Sequence, residues 1–79
     1  MDTGRRIGHL RKNSGVSRAE FAGAIGIDQS TVHYWELDKH APRADLLAKA
    51  LAYFGITAGQ FWADDFPRSL PPHLNGGKR

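Results

Sequence analysis

Gln29, Ser30 and Tyr34 fall within two helical turns of one another, and their side chains carry the donors and acceptors that read base edges. A glutamine amide accepts and donates together, which suits the N6/N7 edge of adenine. A serine hydroxyl can donate to a base or to a phosphate. A tyrosine ring can meet a thymine methyl, and its hydroxyl can reach a phosphate. Basic residues flank this segment, with Arg18 ahead of it and Lys39, His40 and Arg43 behind it. Charges on either side of a reading segment are placed to grip phosphates, which fix register but carry no sequence information. Arg18 would be the first residue of a helix, where a cation opposes the positive end of the dipole, so its presence points to an anionic partner. His33 and Thr31 share the segment; the simpler reading of His33 is an exposed helix residue, and Thr31 is open to either reading.

Two short helices must hold these groups. Ser17 and Glu20 form a capping-box pattern that opens a helix over 18–25, and Gly26 ends it. Asp28 is placed as the N-cap of a second helix running to about Leu37. Phe21, Ile25, Ile27, Val32 and Trp35 are apolar where the crossed pair would share a small core, and Ala22 is small where the two must approach. Val32 and Trp35 stand three apart, as one inward face requires. This is the pattern of a helix-turn-helix, whose second helix is the candidate for the major groove.

A first helix spans about 3–13, with Ile7 and Leu10 inward, His9 beside them, and Arg5, Arg6, Arg11 and Lys12 over much of the rest; Asn13-Ser14-Gly15 stops it. A fourth helix spans about 44–54, with Leu46, Leu47, Ala50, Leu51 and Phe54 at helical spacing. Thr57 and Gln60 open a short fifth helix ending near Trp62. No stretch alternates with period two, so no strand is expected. Phe61 is a core candidate, and Trp62 either closes the bundle or enters a dimer interface. From Asp64 the character changes: Pro67, Pro71 and Pro72 interrupt any helix, and residues 75–79 are polar and glycine-rich. The expected organisation is one domain over 1–63 and a flexible tail over 64–79, with Leu70 and Leu74 able to dock in a partner's groove.

The chain has 79 residues, no cysteine and a formal net charge of +3, with a pI near 9.7. So short a chain buries a modest fraction of its surface, and a dimer partner is one way to gain more. Disulfides and thiolate metal sites are excluded. The polar N-terminus carries no signal peptide and no transmembrane run, which fits a cytoplasmic location. His9, His33, His40 and His73 form no i, i+4 metal pair. There is no phosphate-cradling glycine loop and no paired carboxylate site. Neither metal, cofactor nor enzymatic activity is expected.

With its flanking helices the pattern resembles the Cro/CI-type helix-turn-helix regulators, the xenobiotic-response-element-like group found in bacteria and phages. The resemblance covers about residues 4–62. It rests on Arg5-Arg6-Ile7-Gly8-His9-Leu10-Arg11-Lys12 with the Gly15-Val16-Ser17-Arg18 approach to the second helix, and on Leu47-Ala48-Lys49-Ala50-Leu51 followed by Phe54-Gly55-Ile56-Thr57. It implies an all-α, compact five-helix bundle of the lambda-repressor-like kind, with the third helix in the major groove. It implies base contacts from Gln29, Ser30 and Tyr34, and phosphate contacts from Arg18, Lys39, His40 and Arg43. It also suggests a salt bridge, Arg11 to Glu36, joining the first helix to the third; partly buried, breaking it would cost about 3–5 kcal/mol. Two positions depart from the family: Arg18 stands where Gln is frequent, and Arg43 where Ser or Thr often caps the fourth helix. The implied function is sequence-specific binding of double-stranded DNA, as a dimeric repressor that occludes a promoter at a palindromic operator. The alternatives are an antitoxin or restriction-control regulator whose tail holds a protein partner, and an adaptor that binds protein rather than DNA.

Overall fold

A computed structural model describes residues 2–75 and holds five helices in the order α1 (Thr3–Ser14), α2 (Arg18–Ile25), α3 (Gln29–Glu36), α4 (Ala44–Phe54) and α5 (Ala58–Trp62). No strand occurs among the described residues. Local chemistry sets where α2 and α5 begin. Ser17 Oγ accepts from the Glu20 amide at 3.0 Å while Glu20 Oε1 accepts from the Ser17 amide at 3.1 Å. Thr57 and Gln60 repeat the exchange at the start of α5, at 3.1 and 2.9 Å. Each exchange satisfies two amides that a helix start would otherwise leave bare. Arg43 is the N-cap of α4 but makes no side-chain cap bond, so that helix relies on its apolar face for its position.

Gly26 links α2 to α3 with φ at 79°, a left-handed conformation that favours glycine over residues carrying a Cβ. The tight turn lets α2 and α3 cross over a shared core. Phe21 lies at its centre, fully buried, with its ring 5.0 Å from that of Phe54 and 5.6 Å from that of Tyr53. Ile7 and Leu10 from α1 and Val32 and Trp35 from α3 complete the inner layer, and Phe61 of α5 is also fully buried. Ala22 and Ile25 are buried as expected, and Val16 and Ile27 pack against the cluster from its edge.

The chain beyond α5 differs from the flexible tail expected over 64–79. Residues 64–75 fold back as successive turns, closed by backbone bonds from Phe66 to Ala63, Arg68 to Asp65, Leu70 to Pro67 and Leu74 to Pro71. Phe66, Leu70 and Leu74 are buried in the same core as the helices, Leu74 to 2% exposure. The prolines do prevent a helix, as their missing N–H requires. They do not prevent packing, because apolar side chains four residues apart repeatedly face the bundle. The groove that Leu70 and Leu74 occupy is the chain's own. The rest of that tail, 76–79, lies outside the described residues.

Three side chains pin this segment. Arg6 donates from Nη1 to the carbonyls of Phe61 at 2.7 Å and Ala63 at 2.9 Å, and from Nε to Asp2 at 3.1 Å. Its guanidinium also lies 4.8 Å from the centre of the Phe66 ring, a cation–π geometry. His9 Nε2 bonds the Leu74 carbonyl at 2.8 Å, with its ring edge-on to Phe66. Ser69 Oγ donates to the Gln60 carbonyl at 2.6 Å. Arg6 thus meets carbonyls at the end of α5 that have no helical partner of their own.

Candidate nucleic-acid interface

The α3 helix buries Val32 and Trp35 and turns Gln29, Ser30, His33 and Tyr34 to the surface. Its start is fixed by Asp28, whose carboxylate accepts from the Ser30 amide at 3.0 Å and from the Ser30 hydroxyl. The Ser30 hydroxyl, followed by its amide, holds the Asp28 carboxyl below the usual carboxylate range. Ser30 therefore has its proton engaged inside the protein and retains only lone pairs for a ligand, an acceptor where a donor or acceptor was expected. Gln29 is exposed at the first position of the helix, and its amide has no hydrogen-bond partner among the described residues.

Tyr34 lies one turn further along, with its hydroxyl unpartnered among the described residues. Its ring meets that of His40 edge-on at 5.7 Å and lies 6.0 Å from His33. His40 is thus brought to the side of Tyr34. Lys39 is exposed and unpaired among the described residues. Arg43 is exposed too, but its guanidinium forms a forked pair with Asp45 at 3.1 and 3.2 Å. The pair holds the Asp45 carboxyl below its ordinary value, first through the hydrogen bond to Arg43. Of the cations expected on this face, Lys39 carries its full charge outward and Arg43 shares its charge with a neighbour.

Glu36, at the end of α3, joins three helices. Arg11 of α1 donates to it through Nε at 2.6 Å and Nη2 at 3.2 Å, and donates from Nη1 to the Val16 carbonyl at 3.0 Å. The Arg11 and Glu36 side chains are only 11% and 8% exposed. A bidentate pair of this kind is among the stronger charge-assisted contacts, and it leaves no buried charge unanswered. Arg18, the first residue of α2, adds a third arm through Nε at 3.1 Å.

The far end of α3 is set by two residues to which the sequence reading gave no role. A Cβ on Gly4 would lie 1.8 Å from the Trp35 carbonyl oxygen, so α1 approaches α3 as only glycine permits. The Gly4 amide donates to Asp38 Oδ1 at 3.0 Å, and Asp38 holds a positive φ of 58°. Aspartate tolerates that region better than most residues because its short side chain can bond locally; here the bond satisfies an orphan amide of α1. Both signals were in the sequence, a glycine in the first turn of α1 and an acidic residue just past α3. Neither could be interpreted without knowing that these ends meet.

The sequence profile described as helix-turn-helix matches residues 7–61. The chain belongs to the Cro/CI-type helix-turn-helix family. It is 28% identical over 61 residues to the HTH-type transcriptional regulator PuuR of Escherichia coli (strain K12), across 77% of this chain and 33% of that protein. The PuuR of Shigella flexneri matches with the same identity and coverage. The chain spans about a third of the length of the curated relatives it matches. No solved structure matches it. Both α2 and α3 lie within the matched residues. Among the described residues no helix is long and apolar enough to cross a membrane, and no group of His, Asp and Glu is placed to hold a metal ion.

Proposed function

We propose that the chain is a sequence-specific regulator of transcription that binds double-stranded DNA through α3. One observation carries this reading: Gln29 and Tyr34 stand on the exposed face of α3 with their polar groups unpartnered among the described residues, while the buried Arg11–Glu36 pair fixes that helix. Rigid support beneath and free polar groups above are what base readout needs. Family membership and the likeness to PuuR support the same class of activity. The mode we propose is repression by occlusion, with two chains on a palindrome and their α3 helices about 34 Å apart. The half-exposed Trp62, held against Arg6 at 5.9 Å, offers apolar surface for self-association. Such a regulator works where the DNA is, in a bacterial cytoplasm.

Gln29 and Tyr34 read bases in this proposal. Lys39 and Arg18 hold phosphates, and Arg43 does so once it leaves Asp45. His40 lies against Tyr34 and supports that ring as well as facing the backbone. The reading in which the tail grips a protein partner loses its anchors, because Leu70 and Leu74 are buried in the chain's own core.

Selection of bound sequences from a random duplex pool, with the mass of the complex read in parallel, tests the proposal. A short palindrome held by two chains is the expected result. A single half-site held by one chain would keep DNA binding and remove the dimer. No enrichment at near-physiological salt would overturn the proposal and favour the adaptor.

A further inference from the structure

We propose that Glu36 is a positioning residue for a phosphate contact made by Arg18, so that the carboxylate anchoring the reading helix also aims the cation that grips the backbone. This rests on the DNA-binding reading above and adds a coupling to it. The Arg18 guanidinium presents its Nε edge to Glu36 Oε1 at 3.1 Å. Its two terminal amino groups have no partner among the described residues, and the side chain is 40% exposed. A guanidinium held by one edge offers its other donors in a fixed direction, the geometry a phosphate takes in forked fashion.

The charges agree with this. Glu36 carries one negative charge and is already met by Arg11 through two bonds. Arg18 therefore brings a positive charge in excess of what the buried carboxylate needs. Glu20, the acidic residue in the same turn, is turned to the Ser17 amide. The capping box uses the amides of Ser17 and Glu20, whereas those of Arg18 and Ala19 have no partner among the described residues. The outer edge of the guanidinium and these open amides sit at one end of α2. Because Glu36 belongs to α3 and Arg18 to α2, the bond ties the backbone grip to the position of the reading helix. Lysine at position 18 would supply the charge without the second edge.

The test compares the full chain with Arg18→Lys and Arg18→Gln. Each is titrated against the duplex selected above over a series of salt concentrations and melted without DNA. The expected result is that both variants melt within a few degrees of the parent. Arg18→Gln loses about one unit of salt slope. Arg18→Lys keeps the slope yet binds about tenfold more weakly, since its single ammonium cannot bond Glu36 and a phosphate as a fork does. Glu36→Gln should weaken binding by a larger factor in the Arg18 chain than in Arg18→Gln, where only the loss of the Arg11 pair is felt; should it fail to fold, the Arg18 variants decide alone. Arg18→Lys binding as tightly as the parent, or Arg18→Gln with an unchanged slope, overturns the inference while DNA binding stands. A parent chain that selects no duplex overturns the DNA-binding reading and the inference with it.

Discussion

The face built on α3 and the face built by α1 with the 64–75 segment are similar in composition and opposite in how they treat their polar groups. On the second face Arg6, His9 and Ser69 are all bonded to backbone carbonyls of other elements. On the first, Gln29, Tyr34 and Lys39 reach no hydrogen-bond or ion partner among the described residues. A cation or an amide at the surface thus says little by type alone. Arg6 and Arg18 look alike in the sequence; one closes a helix end, and the other leaves two amino groups facing out. A polar side chain with internal partners belongs to the fold, and one held rigid without them is available to a ligand.

Substitutions on the two faces should separate accordingly. The largest effect is expected from Glu36→Ala, because Glu36 ties α3 to both α1 and α2. Breaking the pair leaves Arg11 without its carboxylate and should cost about 3–5 kcal/mol, read as a fall in the denaturation midpoint together with lost DNA affinity. A midpoint that barely moves would mean that the pair is not a stabilising joint. Leu74→Ala comes next, at about 2–3 kcal/mol, with DNA affinity unchanged under conditions where the variant is folded. A full-strength midpoint would show that the 64–75 segment is not part of the cooperative unit. Gln29→Ala should leave the midpoint in place and relax preference at one base pair, by about 1–3 kcal/mol of discrimination; repeated sequence selection checks this. Lys39→Ala should weaken binding to every duplex alike and flatten the salt slope by about one unit, seen in titrations at several ionic strengths.

The smallest effect lies in acid. The Asp28 carboxyl is lowered in the folded protein by the Ser30 hydroxyl and amide. A lowered folded value means stability that is present above the ordinary carboxylate value, about 3.9, and lost as pH falls through the folded one. Asp28→Asn should therefore flatten the acid limb of a melting-temperature profile taken below about pH 5. An unchanged limb would assign acid sensitivity to Asp2 and Asp45, whose carboxyls are lowered by their arginine neighbours.

What the sequence made legible was local. Both ends of α2, the end of α4 and the start of α5 follow from caps and glycines within a few residues, and the amphipathic spacing of Val32 and Trp35 told which side of α3 faces in. What stayed hidden was set by partners far along the chain. Gly4 meets Asp38 across 34 positions and Arg6 meets Phe61 across 55. Three prolines and a run of polar residues made 64–79 read as loose chain. The four-residue spacing of Phe66, Leu70 and Leu74 was the available signal, but without a helix to carry it the pattern had no obvious meaning. At the candidate site the residue types were legible, while the internal partners of Ser30, Arg18 and Arg43 were not.

The long reach of Arg6 and His9 has a consequence for the chain during its synthesis. The carbonyls they need lie 55, 57 and 65 residues downstream. A chain leaving the ribosome N-terminus first presents α1 long before those groups emerge, and domains generally fold as units once enough chain is free. The helices that form the α3 face can meet earlier, since their partners lie no more than 34 positions apart. The far side of α1 must wait, exposed, until residues 61–74 have emerged. A stop codon shortly after α5 would then yield a product whose α3 face is complete but whose α1 lacks the cover of Phe66, Leu70 and Leu74, the kind of exposed apolar surface that invites aggregation.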